Sequence, residues 1–502
     1  MKKTIALFTM LLATMALFAN PVDKERADRV AKNAVIRFCA ELHGIDTDLP
    51  VELTYMSPAM DAKLLHIYQY RHGEVEGFIV ISGDDMSDPV LAFSDEGAQN
   101  LTNSFETNPA FCQQLKHYSN ELTIARKAKA TAPAHVTRKW KMLEEEYVPA
   151  KGDMYNDRIN KLLGGMKWGQ GTPYNSLCPR KAITGCVATA FGMIMNYWDY
   201  PEHGFGQHSY NGEDNPAAYP GWNYGELTAD FEHTYYDWAN MEDYAYINSP
   251  EEVKTAIGTL LFHIGVALDM RYGENASGCW SLPEYAIYDT SLHLDPKISA
   301  PYRIPKHFGY KFSYAGMRDS IGSDTLWMQM LYQSLADSMP IYYAGWERDS
   351  SDDGHSGTSG HGYILDGYFS DEVDSNLFHI NWGWDGNNNG LFKLDAMTPS
   401  GYDFTQWHGA VIGLEPDTSY HGYDPAAIPM PRMAMPKVYS RNGHIVADGI
   451  DGQVASVFDM MGRCVATRPA HQGNTWSLHV RPGIYVVRIG QLPAQKVIVI
   501  NN

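Results

Sequence analysis

The chain has 502 residues, 44% hydrophobic and 20% charged, an ordinary globular composition and long enough for two to four domains. Its formal net charge is −20 with no basic stripe, which argues against a nucleic-acid partner. Six cysteines in a chain of this length exclude a disulfide-built scaffold, and no C-x-x-C pair suggests zinc; one or two bridges remain open.

Residues 1–19 read as a Sec-type signal peptide. Lys2 and Lys3 precede an uncharged apolar run from Ile5 to Phe18, and Ala19 is a small residue suited to cleavage. The run is short for a membrane helix and no other is long enough, so no stable membrane span is expected. The expected location is secreted or at the cell surface. Residues 20–125 read as a small α+β domain. A helix is expected from Asn33 to the break at Gly44, then strands in VELTYM, LLHIYQYRHG, EGFIVISGDD and PVLAFSDEG. Residues 125–155, rich in Lys, Arg, Ala and Glu, read as an exposed linker open to proteases. Residues 155–416 form the largest block. Its best helix is 186–199, and strand patterns follow in MPIYYAGW, GYILDGYF, LFHINWGW, GLFKLDAM and GAVIGLEP, an α+β arrangement. Residues 417–436 are a proline-rich linker, and 437–502 read as short strands of a small β-sandwich.

The chemistry concentrates in the large block. Cys186 follows Thr184-Gly185 and opens the helix, where backbone N–H groups favour a negative charge. A thiol there is expected to have a lowered pKa, with Gly185 leaving the sulfur accessible. Position alone weighs equally for a buried structural cysteine. Gln170, uncharged between two glycines, could supply an amide N–H to an oxyanion beside the Cys186 backbone N–H. His361 lies between glycines at a strand start, so its ring is expected not to be buried; a neutral imidazole there can accept a thiol proton. Asn381 and Trp382 end a strand before the turn Gly383–Gly386. Asn381 could hold the imidazole in one tautomer, with Trp382 and Trp384 shielding that bond. Taken singly, Gln170 and His361 are better explained as loop residues, and Asn381, Trp382 and Trp384 can be read as turn and core residues. Their order in one block is the dispersed Cys–His–Asn arrangement of a thiol enzyme.

The motifs GQGTPYN, TGCVATA, GHGYILDGY and HINWGWDG resemble those of the streptopain family of cysteine peptidases, including its Bacteroidetes members, over residues 20–416. The resemblance implies a papain-like α+β peptidase domain at 136–416, preceded by an inhibitory prodomain at 20–135. It implies Cys186 as nucleophile, His361 as base, Gln170 at the oxyanion, and Asn381 and Trp382 in the NWGW strand with Trp384. It also implies substrate contacts at Gly360, Gly278 and Cys279; the family often has Ser where this chain has Cys279. The tail VASVFDMMGR…RPGIYVVRI…QKVIVI resembles the C-terminal sorting domain of type IX secretion cargo, which implies that machinery as a partner. The expected function is a secreted cysteine endopeptidase made as a zymogen, acting on proteins or peptides, inhibited by its own prodomain and needing no metal or cofactor. Two alternatives stay open: a transglutaminase-like acyltransferase on the same residues, and a binding protein on an inactive peptidase scaffold.

Overall fold

The structure is a computed structural model. It describes residues 20–56, 64–97, 101, 108–145, 156–212, 224–283, 296–346, 360–371, 376–396, 407–422 and most of 437–499. The expected signal peptide and most of the expected 417–436 linker lie outside these residues. The chain divides into two units, the first made of residues up to 158 with 368–382 and 387–405.

In the first unit, helix α1 spans Lys24–His43. The Asp23 carboxylate accepts the Arg26 N–H at 2.8 Å to cap it, and Gly44 at φ 65° ends it. The helix therefore begins well before Asn33. Its charged first turns mask an inner face of Ala27, Val30 and Ala31, which are fully buried. Strands β1 (Val51–Met56), β2 (Leu65–His72), β3 (Val75–Ser82) and β4 (Val90–Ser94) follow as an antiparallel meander. The sheet continues with chain from far downstream: Leu391 faces Phe93 and Phe392 faces Ala92, and the strand Leu377–Asn381 lies beyond. Phe38 of α1 stacks on Phe93 of β4 at 4.4 Å between ring centroids.

Helices α2 (Pro109–Lys127) and α3 (Ala134–Glu144) complete the unit. Tyr118 and Gln114 of α2 both donate to the Lys393 carbonyl, and Gln114 also donates to that of Leu394. Asp88 is gripped by two ammonium groups, Lys139 of α3 and Lys393, each at 2.8 Å. Burial alone would raise this carboxyl, but the two cations outweigh it and hold it at about 2.

Helix α3 overturns the reading of 125–155 as an exposed linker, and it straddles the boundary expected at 135/136. Val136, Trp140 and Leu143 recur on one face and pack into the same core as α1. Trp140 is 1% exposed, its indole N–H donates to the Ser87 carbonyl at 2.8 Å, and the Arg26 guanidinium lies 4.7 Å over its ring. The Lys- and Arg-rich composition describes mainly the outer face; Lys139 is the exception, turned inward to Asp88.

In the second unit, helices α4 (Cys186–Trp198) and α5 (Glu251–Ala267) cross closely at Gly192, where a Cβ would lie 2.4 Å from Leu261. The strand Ile341–Trp346 pairs antiparallel with the start of Gly360–Asp371 on one side and with Trp407–Ile412 on the other. Phe191 of α4 stacks on Tyr342 of the central strand, centroids 4.6 Å apart and planes 11° apart. This stack pins the helix to the sheet.

The C-terminal strands form two sheets. Lys437–Arg441, His444–Asp448 and Thr475–His479 make one; Cys464–Arg468, Ala455–Asp459, Gly483–Ile489 and Gln495–Val499 make the other. Ile445 and Ala447 of the first sheet share a core with Val457, Val487 and Val497 of the second, the β-sandwich expected. Cys39, Cys112, Cys178, Cys186 and Cys279 are all free thiols, so none of these five enters a bridge.

Trp140→Ala should destabilise the unprocessed chain by about 3–5 kcal/mol, because a large buried ring and its hydrogen bond are both lost. Denaturant unfolding of the full-length protein measures this. A change below about 1 kcal/mol would mean that α3 is not part of the first unit's core.

Candidate active site

Gly185 makes the turn into Cys186 possible. Its φ of 87° lies in the region that favours glycine, and a Cβ there would meet the Met270 sulfur at 2.9 Å and the Ser277 carbonyl oxygen at 3.1 Å. Cys186 is the first residue of α4, as its position in the sequence implied. Its sulfur accepts the backbone N–H of Gly362 at 3.3 Å. Gly362 must be glycine, since a Cβ there would lie 2.4 Å from the Tyr342 hydroxyl. The Phe191–Tyr342 stack and the Tyr342–Gly362 contact therefore bring the histidine strand against the helix start.

His361 precedes that donor and pairs with Gly345 across the ladder. The surroundings differ from expectation at both reacting groups. The Cys186 thiol stands above its ordinary value, because burial outweighs the backbone N–H groups of Gly362, Val187 and Cys186 that favour the thiolate. The helix start was expected to lower it; desolvation is the larger effect in this conformation. The His361 imidazole is lowered to about 4 by desolvation, although the residue is half-buried rather than enclosed. No hydrogen bond joins the ring to the sulfur. Both shifts favour the uncharged forms, a thiol and a neutral imidazole.

Gln170 is 3% exposed, and its carbonyl accepts the Thr184 N–H at 3.0 Å, which ties it to the nucleophile turn. Among the described residues its side-chain nitrogen has no hydrogen-bond partner, a buried donor that an incoming oxyanion can satisfy. Gly278 is exposed, but its N–H and C=O are both engaged by Arg271, at 3.2 and 2.8 Å. The adjacent Cys279 thiol is pushed well above its ordinary value by burial and then by the nearby Cys186. Gly360 pairs with Trp346 at the strand start. The buried indole nitrogen of Trp384 lacks a hydrogen-bond partner among the described residues.

Asn381 and Trp382 belong to the first unit, both almost fully buried at the end of the strand Leu377–Asn381. Trp382 donates its backbone N–H to the Asn389 side chain at 3.0 Å and its indole N–H to the Asn388 carbonyl at 2.9 Å.

Three features escaped the sequence reading. One is the Gly362 N–H, whose signal is the second glycine of Gly-His-Gly. Another is Asp385, whose carboxyl sits where a Cβ on Gly169 would come within 2.5 Å and is raised to about 6 by burial. The last is a pair of buried hydroxyls, Thr184 and Thr189, 2.8 Å apart. Nothing in the sequence distinguishes these two threonines from ordinary core residues.

A thiol on the first turn of a helix, a histidine strand bonded to it through the neighbouring amide, and a buried side-chain amide close by define a papain-like cysteine peptidase. Residues 168–392 match the Peptidase C10 family, and residues 19–122 match the Spi protease inhibitor family. The thiol protease/hemagglutinin PrtT of Porphyromonas gingivalis is 27% identical over 85% of this chain and 45% of that protein, so the chain spans under half its length. Streptopain of Streptococcus pyogenes is 25% identical over 83% of this chain and 99% of that one. A solved fragment of Prevotella intermedia prointerpain A is 27% identical, covering 72% of this chain and 98% of that one, with a TM-score of 0.50. The chain belongs to the streptopain family of cysteine peptidases, the C10 family. With its inhibitor-type N-terminal domain, it is a peptidase zymogen.

The buried imidazole sets a pH dependence. Its folded pKa of about 4 lies below the free value of 6.5, so the unfolded chain binds more protons between those limits. Stability from this group is full above pH 6.5 and falls as pH drops toward 4, by about 3 kcal/mol. His263, at about 4, and His307, at about 3, act in the same direction. Thermal melts of the unprocessed chain should fall between pH 7 and pH 4.5, and His361→Asn should flatten part of that fall. An unchanged pH profile in the variant would show that the ring is solvated.

Proposed function

We propose that the chain is a secreted cysteine endopeptidase whose processed form cleaves protein substrates by acyl transfer. Cys186 thiolate attacks the peptide carbonyl. The Cys186 N–H and the Gln170 amide hold the oxyanion, and His361 protonates the leaving amine before activating water. The Gly362 N–H at the sulfur carries this reading, because it sets the histidine strand against the nucleophile. The protonated thiol and neutral imidazole fit a precursor that has not yet formed its thiolate–imidazolium pair.

By motif, Asn381 and Trp382 take the role of orienting the imidazole in the processed enzyme. Gly360, Gly278, Cys279 and Trp384 are assigned to substrate contact, and Gly278 offers only groups already engaged by Arg271. The N-terminal domain acts as an intramolecular inhibitor. Residues 1–19 direct export, and the C-terminal sandwich is read as the address recognised by type IX secretion machinery. Among the described residues no helix is long and apolar enough to cross a membrane.

Cys186→Ala should reduce casein hydrolysis by the processed enzyme at least about 10³-fold, and Gln170→Ala should lower kcat by about 10²–10³-fold with little change in KM. Retained hydrolysis in the cysteine variant would reject the nucleophile assignment. Transfer of an added amine faster than hydrolysis would place the chain among acyltransferases instead.

A further inference from the structure

The nucleophile helix begins without a side-chain cap: Gly185 occupies the N-cap position and has no side chain to supply one. Order at this helix start comes from two threonines that are both fully buried. The Thr189 hydroxyl donates to the Gly185 carbonyl at 3.1 Å. The Thr184 and Thr189 hydroxyl oxygens lie 2.8 Å apart. A hydroxyl has one proton. Either hydroxyl can be the donor between the two threonines; when Thr189 donates to Gly185, Thr184 donates to Thr189, giving a chain from Thr184 through Thr189 to Gly185. The Gly185 carbonyl also accepts the Thr189 backbone N–H at 3.1 Å.

The consequence follows from peptide planarity. The Gly185 carbonyl and the Cys186 N–H belong to one planar unit and point in opposite directions. Two donors fixing the carbonyl therefore also fix the direction of the N–H. The Thr184 backbone N–H, in turn, holds the Gln170 carbonyl at 3.0 Å. The threonine hydroxyls are thus tied to the Cys186 peptide unit, and the Thr184 backbone to the main chain of Gln170. The Thr189 methyl also lies 3.2 Å from where a Cβ on Gly383 would stand, so it packs against the turn that follows the NWGW strand.

We infer that Thr184 and Thr189 are positioning residues that aim the Cys186 N–H at the developing oxyanion. This rests on the acyl-transfer reading above. The pair touches neither substrate nor sulfur. Its effect should appear only in steps that create an oxyanion, where correctly aimed donors matter most.

The experiment separates those steps from simple attack by sulfur. In the processed enzyme, Thr189→Val keeps the shape and removes the hydroxyl. We expect kcat for peptide hydrolysis to fall about 10-fold or more with KM within about 2-fold. Alkylation of Cys186 by iodoacetamide, which forms no oxyanion, should keep its rate and its pH profile. Thr189→Ser restores the hydroxyl and should recover most of kcat. Should Thr189→Val fail to fold, Thr184→Val carries the same comparison, since it removes the other half of the chain. Unchanged kcat, equal losses in hydrolysis and alkylation, or no recovery with serine would each overturn the inference. If Cys186→Ala keeps its activity, the acyl-transfer reading itself fails. If Cys186 is essential and the threonine variants match wild type, only this inference fails.

Discussion

The active-site geometry depends on one weak polar contact, the Gly362 N–H on the Cys186 sulfur. It can form because three close approaches coincide. Phe191 lies flat on Tyr342, the Tyr342 hydroxyl occupies the space that a side chain at 362 would need, and Gly185 turns through a conformation closed to larger residues. Each depends on a residue's shape rather than its charge. The chemistry is therefore positioned by packing, and the polar groups act where packing has put them.

The same packing bears on the charge of the cysteine and the histidine. A helix start stabilises a thiolate, and three backbone amides do so here, yet burial is the larger effect. The histidine is treated alike: its ring loses water without gaining a carboxylate or thiolate partner. Desolvation thus biases both groups toward their uncharged forms.

Much of the fold was legible because periodicity survives where one face is buried. Helix α4 was read to within a residue, and the strand around EGFIVISGDD showed its two faces plainly. Helix α3 was misread because its outward residues are lysine and arginine, and only Val136, Trp140 and Leu143 reveal the inner face. Helix α1 was started late for the same reason. At the site, the place of Cys186 at a helix start was legible from its glycine neighbour and the periodicity that follows. The direction of the pKa shifts at Cys186 and His361 was not, because desolvation depends on packing rather than on local sequence. The Thr184–Thr189 pair was invisible for a different reason: a hydroxyl bridge leaves no composition or spacing signal.

The first unit is not one stretch of chain. Strand β4 is bonded to Leu391 and Phe392, and the Lys393 ammonium is held by the buried Asp88 carboxylate. A chain cut after residue 145 would therefore keep these contacts, and the two fragments would part only through a bimolecular equilibrium that dilution favours and fragment excess reverses. Scission and separation would then be distinct events with distinct rates.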